Sequence, residues 1–253
     1  MPDWFLAGLP SAPDFTILAT ITFVAGVMRG FSGFGSGLLM APVYSLVLPP
    51  ADMLAVILLL NLLTVFQILP GALRAVNWKL VMRLFIPSLL GVPLGVAMVH
   101  SVDPAIMRKT VAFIVIAVAL IMLRGWYYDG RRGVIQDTAA GALGGFMTSI
   151  AGIGGPPLIL YLLSDRSVTP TVFRAVMIVF LFFGQVATLV PLSISGSFNL
   201  HQIAFVAVLL PVFVISTLLG TVLHRRTASK HQARARRICL VFLLVTGVLA
   251  FLV

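Results

Sequence analysis

Two short stretches of this chain hold the residue types that could do chemistry. In the first, Arg29 is followed directly by GFSGFGSG, residues 30 to 37; in the second, Thr148 and Ser149 precede Gly152, Gly154, Gly155 and Pro156. Both lie inside long apolar runs. Glycine breaks a helix and frees backbone N–H groups that an unbroken helix would use internally. A half-helix starting at such a break carries about half a positive charge at its N-terminus, which suits an anion. Half-helices beginning near Ser36 and near Gly155–Pro156 would aim their N-termini at the breaks, and Pro156 suits a first turn, where its missing N–H costs nothing. Gly33, Gly35, Gly152, Gly154 and Gly155 let the backbone approach a ligand closely, while Ser32, Ser36, Thr148 and Ser149 add hydroxyl donors. Arg29 adds a full charge and a planar fork of donors that fits an oxyanion. Its alternatives are to snorkel outward or to pair with a backbone carbonyl. Asn61, Gln67 and Gln185 are candidates to face the same cavity, or to hydrogen-bond between helices. Asp165, Arg166 and Arg174 border the second stretch, as a gate or as a solvated turn.

The elements that position these residues are helices in a membrane. Of 253 residues, 60 % are hydrophobic and 9 % charged, against roughly 25 % charged in a soluble domain. Mean hydropathy is +1.12. The charges fall in short clusters between unbroken apolar runs such as Leu54–Leu69 and Val111–Leu123, which excludes the short alternating segments of a membrane barrel. The expected class is all-α and polytopic. The net charge of +10 does not mark a nucleic-acid partner, because the basic residues sit in the gaps between apolar runs. The first residues hold Asp3 and Asp14 and no Lys or Arg, unlike a cleavable signal peptide. Trp78, Trp126, Tyr127 and Tyr128, beside basic loops, read as interface anchors.

Several chemistries find no residues. Cys239 stands alone, so no intrachain disulfide or cysteine metal cluster is expected. His100, His201, His224 and His231 show no metal spacing on a helix. There is no phosphate-binding P-loop and no nucleophile–base pair within the spans, so neither a cofactor nor an enzymatic activity is expected. Asp52 and Asp103 lie at helix starts, and a buried carboxylate relay is not evident; coupling would rest on the substrate's own protonation or on the membrane potential.

Apolar runs cover residues 15–48, 52–71, 80–99, 105–124, 136–164, 170–192, 201–223 and 236–253. As one straight helix the first would reach about 50 Å, too long for a hydrocarbon core of about 30 Å. It and 136–164 are expected to be broken hairpins, interrupted near Ser32–Ser36 and Ala151–Gly155. Loop 224–237, with Arg225, Arg226, Lys230, Arg234, Arg236 and Arg237, is assigned to the cytoplasm. Working backwards, Arg166 and Arg174, then Arg124, Arg131 and Arg132, then Arg74 and Lys79 are also inside. Arg108 and Lys109 alone fall outside. The two hairpins share a glycine pattern: Gly26, Gly33 and Gly35 become Gly145, Gly152 and Gly154 on adding 119 to each number. Later elements match with a small drift in offset: Pro87 with Leu94-Gly95 resembles Pro211 with Leu219-Gly220, and Arg108 resembles Arg236. Parity then makes residues 1–130 and 131–253 two inverted repeats, each a hairpin plus three spans, the sequence pointer to a secondary transporter. The patterns Gly26-x3-Gly30, Gly91-x3-Gly95 and Gly141-x3-Gly145 are read as close helix packing.

The stretches GVMRGFSGFGSGLLMAP and GALGGFMTSIAGIGGPPLILYLL, with NWKLVMRLFIPSLLGVPLG after the first hairpin, resemble the TauE/SafE sulfite-exporter family, also called the toluene-sulfonate uptake permease family. The resemblance covers nearly the whole chain. It implies a multi-pass protein of the bacterial inner membrane that transports small sulfur-containing anions such as sulfite, sulfonates and sulfoacetate-like compounds. An anion channel and a transporter of small carboxylates are the competing readings. The implied partners are a small anionic substrate and the lipid bilayer; a homo-oligomer stays open. The topology places both termini outside the cytoplasm. With Cys239 replaced, a cysteine added at residue 2 or 253 should react with an impermeant reagent from the outside; labelling only from the cytoplasmic side would reverse the topology.

Overall fold

The computed structural model describes residues 12–126, 128, 130, 133–162, 168–196, 200–226 and 229–252, which are helical apart from short turns and contain no strand. The helices are α1 (Ala12–Ser32), α2 (Ser36–Val47), α3 (Pro50–Val65), α4 (Leu69–Ala75), α5 (Trp78–Ser101), α6 (Pro104–Leu123), α7 (Val134–Ala151), α8 (Gly155–Leu162), α9 (Pro170–Ile194), α10 (Leu200–Arg226) and α11 (Ser229–Leu252). Five stretches, within α1, α5, α6, α9 and α10, are long and apolar enough to cross a membrane, and the bent pair α3–α4 makes a sixth. Outward side chains such as Leu90, Leu94, Phe113 and Ile194 are exposed, as lipid-facing residues are.

The expected breaks fall between α1 and α2 and between α7 and α8. Gly33, Gly35 and Gly152 have φ of +85°, +93° and +71°. That left-handed region penalises any side chain with a Cβ, so glycine at these positions stops one helix and lets the next begin. Each hairpin is tied by a tyrosine. Thr22 Oγ1 and Tyr44 Oη lie 2.6 Å apart across α1 and α2. Tyr161 Oη donates to Asp137 Oδ1 at 2.5 Å across α8 and α7.

Three expectations are corrected. The run 52–71 is not one straight span: α3 ends at Val65 and α4 leaves it at 69°. Gln67 falls in the connecting turn and is exposed, so it does not face a cavity. The basic stretch 224–237 is not a loop, since α10 runs to Arg226 and α11 begins at Ser229; Lys and Arg are good helix formers, so charge marks the membrane side without breaking the helix. Asp165, Arg166, Tyr127, Arg131 and Arg132 lie outside the described residues.

The spans pack through small residues. The two most extensive helix pairs are α5 with α7 and α1 with α10. A Cβ at Gly141 would come within 2.1 Å of the Leu84 carbonyl oxygen, and one at Gly145 within 2.2 Å of the Ser88 oxygen. In the other pair, a Cβ at Gly30 would meet the Thr217 oxygen at 2.0 Å and one at Gly220 the Val27 oxygen at 2.1 Å. Only glycine permits these approaches. In both pairs the contacting numbers rise together, so the helices run parallel. Helix starts and ends are tied as well. Gln202, near the start of α10, donates to Asp52, near the start of α3, and His100 Nε2 lies 3.1 Å from Ser195 Oγ where α5 and α9 finish.

Asp137 was not legible as a special residue. It sits in the first turn of α7 at 6 % exposure, and the Tyr161 hydroxyl is its hydrogen-bond donor. Tyr161→Phe would leave a buried carboxyl without that donor, so the variant should lose about 1–3 kcal/mol of stability. Asp137→Asn should lose less, because its amide oxygen still accepts the tyrosine proton. Thermal unfolding in detergent reads both, and an unchanged midpoint for Tyr161→Phe would mean that the pair does not tie the hairpin.

Candidate functional site

Arg29 lies in the last turn of α1, where its cation complements the C-terminal end of the helix dipole. It is only 5 % exposed. Its fork stays inside the bundle. Nη1 donates to Asn61 Oδ1, and Nη2 donates to the Asn61 backbone oxygen at 2.9 Å. Ser36 Oγ, at the first position of α2, donates to the same Asn61 Oδ1 at 2.6 Å and lies 3.5 Å from Arg29 Nη1. The guanidinium carbon stands 5.8 Å from the Phe213 ring centroid, close enough for a cation–π contact from α10. Arg29 Nε is buried with no partner. Among the described residues no carboxylate pairs with Arg29, so the positive charge is held by the two Asn61 oxygens, the Ser36 hydroxyl and a ring face.

The two breaks meet beside this group. A Cβ at Gly37 would come within 2.2 Å of the Gly152 carbonyl oxygen. The Phe34 ring stands where a Cβ at Gly155 would touch it at 3.9 Å. A cavity of about 20 Å³ lies between them, the room of a water molecule or so. Its polar and glycine wall includes Arg29, Gly35, Ser36, Asn61, Gly152, Gly155 and Gln185, and Phe34, Leu38, Ile153 and Leu181 add apolar surface. The N-terminus of α2 opens onto it with Gly35 as cap residue and no side-chain cap, which leaves backbone donors unspent there.

The other residues singled out by sequence do not line this cavity. Ser32 Oγ stands 2.7 Å from the Met28 and Phe34 oxygens and stiffens the break from the side. A Cβ on Gly33 would sit 3.2 Å from Arg174 Nε, and Arg174 Nη2 donates to the Gly30 oxygen at 3.4 Å. Arg174 thus lies against the first hairpin's break. Thr148 Oγ1 bonds back to the Gly144 oxygen at 2.7 Å and fills the space that a Cβ on Gly154 would need. Ser149 Oγ bonds back to the Gly145 oxygen at 3.0 Å and packs against Gly95. Inside an apolar helix a hydroxyl satisfies itself on the preceding turn unless a partner is within reach, and none is here. Phe213 was missed: nothing in its spacing joins α10 to Arg29, and only the parallel packing of α1 on α10 brings them together. Tyr128, expected as an interface anchor, is partly buried and stacks on Tyr161 with ring centroids 5.8 Å apart. His100 is spent on the Val96 and Ser195 oxygens, and no group of metal ligands occurs among the described residues.

Five apolar spans, a bent apolar pair and two broken helices that meet at a buried arginine define a multi-pass helical membrane protein with its polar centre inside the bundle. Residues 18–250 match the family described as Sulfite exporter TauE/SafE, and the chain belongs to that family. It is 24 % identical over 164 residues to a probable membrane transporter protein of Methanocaldococcus jannaschii, covering 58 % of this chain and 61 % of that one. It is 26 % identical over 199 residues to a probable sulfite/organosulfonate exporter of Cupriavidus necator, covering 75 % of this chain and 76 % of that one. No solved structure matches it.

Because the breaks touch backbone to backbone, Gly37→Ala should cost at least about 1–3 kcal/mol, the usual range for overpacking. Gly71→Ala, where a Cβ meets nothing within 4 Å, is the control and should be tolerated. Equal thermal midpoints for the two variants would show that the breaks do not press on one another.

Proposed function

We propose that this protein is a secondary transporter of small sulfur-containing oxyanions, of the sulfite, sulfonate and sulfoacetate class, in the bacterial inner membrane. One observation carries the proposal: a buried guanidinium without a countercharge faces a small polar cavity between two helix breaks. A charge in that place is costly, about 2.5–3.5 kcal/mol on insertion scales, and is kept where it has work to do. An oxyanion entering the cavity would take hydrogen bonds from the Arg29 fork, from Ser36 Oγ and from the unspent N–H groups at the start of α2. Asn61 would release part of the fork and the Ser36 hydroxyl proton to it. The family and the name carried by the Cupriavidus relative support a sulfur oxyanion over a carboxylate.

The small volume of the cavity, about 20 Å³, supports a carrier over a channel. It is too small for a four-atom oxyanion, so the breaks must part to admit one. In our reading the halves 1–130 and 131–253 are inverted repeats, and one hairpin parts toward each side of the membrane. The helix ends support this. The tie from Asp52 to Gln202 sets the starts of α3 and α10 at one end, and α1 runs parallel to α10. The tie from His100 to Ser195 sets the finish of α5 at the same end. α5 therefore starts at the other end, and α7 runs parallel to it. These ties support a reading in which the two hairpins enter from opposite faces. Nothing in the transport cycle calls for a covalent step.

Arg29→Lys keeps the charge but loses the planar fork, and sulfite binding should weaken. Arg29→Ala should weaken it more, by about 1.5–3 kcal/mol, or roughly tenfold to more than a hundredfold in Kd, the worth of a hydrogen bond to a charged group. Both variants should insert and fold. Binding to purified protein and counterflow in proteoliposomes read the effect, and unchanged affinity in both would remove Arg29 from the site.

A further inference from the structure

The polar groups around the cavity are unequal in kind. Arg29 offers only donors, Ser36 stands at the cavity with its hydroxyl, and the start of α2 offers backbone N–H groups. The acceptor Asn61 Oδ1 is already used twice, by Arg29 and by Ser36. Gln185 differs. It lies in the middle of α9, is 4 % exposed and lines the cavity, and its Oε1 is buried without a hydrogen-bond partner. A buried acceptor with no donor is costly, and such atoms are rare in folded proteins. Its missing partner is a donor that the protein does not supply.

We infer that the site takes a singly charged oxyanion that still carries an O–H, and that Gln185 Oε1 accepts the hydrogen bond from that group. The inference rests on Arg29 as the anion-binding residue. Charge leads to the same form: among the described residues Arg29 is the only ionisable side chain in the cavity wall, so it balances one negative charge. A doubly charged anion would leave one charge unbalanced in a low-dielectric site and turn a bare lone pair toward Gln185 Oε1. Within the proposed class such a site favours the hydroxyl-bearing monoanion over a sulfonate, which binds through Arg29 but leaves the Gln185 acceptor unpaired. The opposite sense of the amide would add a further donor and favour the bare dianion, so the two senses give opposite pH dependences. With the O–H bound at Gln185, each hydrogensulfite ion crossing the membrane moves one proton and one negative charge. The protein needs no carboxylate of its own in the cavity to carry that proton.

The test uses the full chain in detergent and in proteoliposomes, with two probes. Sulfite changes from the hydrogensulfite monoanion to the dianion near neutral pH, whereas methanesulfonate is a monoanion without an O–H throughout. In wild type the affinity for total sulfite should fall about tenfold per pH unit on the alkaline side, while that for methanesulfonate stays level. Gln185→Met keeps the side-chain length and removes the acceptor; it should weaken sulfite at acid pH by about five- to a hundredfold, the worth of a lost buried hydrogen bond, and methanesulfonate far less. Sulfite affinity that rises with pH in wild type would overturn the inference without any variant. So would equal losses for both probes in a folded Gln185→Met. Arg29→Ala separates the two levels. If it weakens both probes while Gln185→Met does not discriminate, only the hydroxyl assignment falls. If it weakens neither, or if wild type binds neither probe, the anion site itself falls.

Discussion

Everything at the centre of this protein follows from one constraint: a guanidinium inside an apolar bundle with no carboxylate of the described residues paired to it. Asn61 is the reason that it can stay. Its side-chain oxygen and its backbone oxygen both accept from the fork, and Ser36 shares the side-chain oxygen. Three elements are thereby fixed to one point: the end of α1, the start of α2 and the middle of α3. Phe213 adds the ring face of a fourth, α10. The carbonyl ligands lower the cost of burial but leave the net charge. The centre is therefore both structurally held and electrostatically incomplete, a state that an anion would complete.

That arrangement depends on backbones that come close, and glycine is used for this in two ways. Along α1 with α10, and along α5 with α7, Gly30, Gly220, Gly141 and Gly145 let helices touch main chain to main chain. In lipid there is no hydrophobic force between apolar helices, and this close packing is what holds them. At the breaks Gly33, Gly35 and Gly152 instead take a left-handed turn. The first use makes rigid pairs. The second makes short half-helices that end in the middle of the bundle, and α2 is accordingly buried over most of its length. Rigid pairs around short, separately anchored half-helices are parts that could move against one another without unwinding.

Much of this was legible from sequence because lipid imposes strong rules. A run too long for the bilayer and rich in glycine has to break, and both breaks fall where glycine clusters. The spans begin near Asn77, Asp103 and Thr169, which cap α5, α6 and α9. What stayed hidden depends on rotation about a helix axis, which an all-apolar span does not reveal. Thr148, Ser149 and Gly154 share the second motif with Gly152 and Gly155, yet the first three turn into helix packing. Ser32 and Gly33 turn away from the cavity in the same manner. Gln67 and Asn61 are six residues apart in one apolar run, but only Asn61 precedes the bend that takes Gln67 out to the surface. Asp137 escaped notice because a carboxyl in a first helical turn reads as an ordinary cap, and Tyr161 could be joined to it only once the hairpin was closed.

The two hairpins are alike in backbone and unlike in charge, and the difference lies at corresponding positions. Adding 119 to Arg29 gives Thr148. Arg29 reaches across to α3; Thr148 bonds back to its own helix. The second break therefore brings Gly152 and Gly155 to the cavity and no cation. The tyrosine ties differ in the same manner: Tyr44 meets a hydroxyl, and Tyr161 meets a carboxyl near the far end of its hairpin. Two equal cations at the centre would repel each other across a cavity of about 20 Å³ and would demand a dianion. One cation tolerates a site that opens and closes, since the bare state carries a single charge that Asn61 can hold. On this reading the difference between Arg29 and Thr148 sets the charge of what the centre can accept.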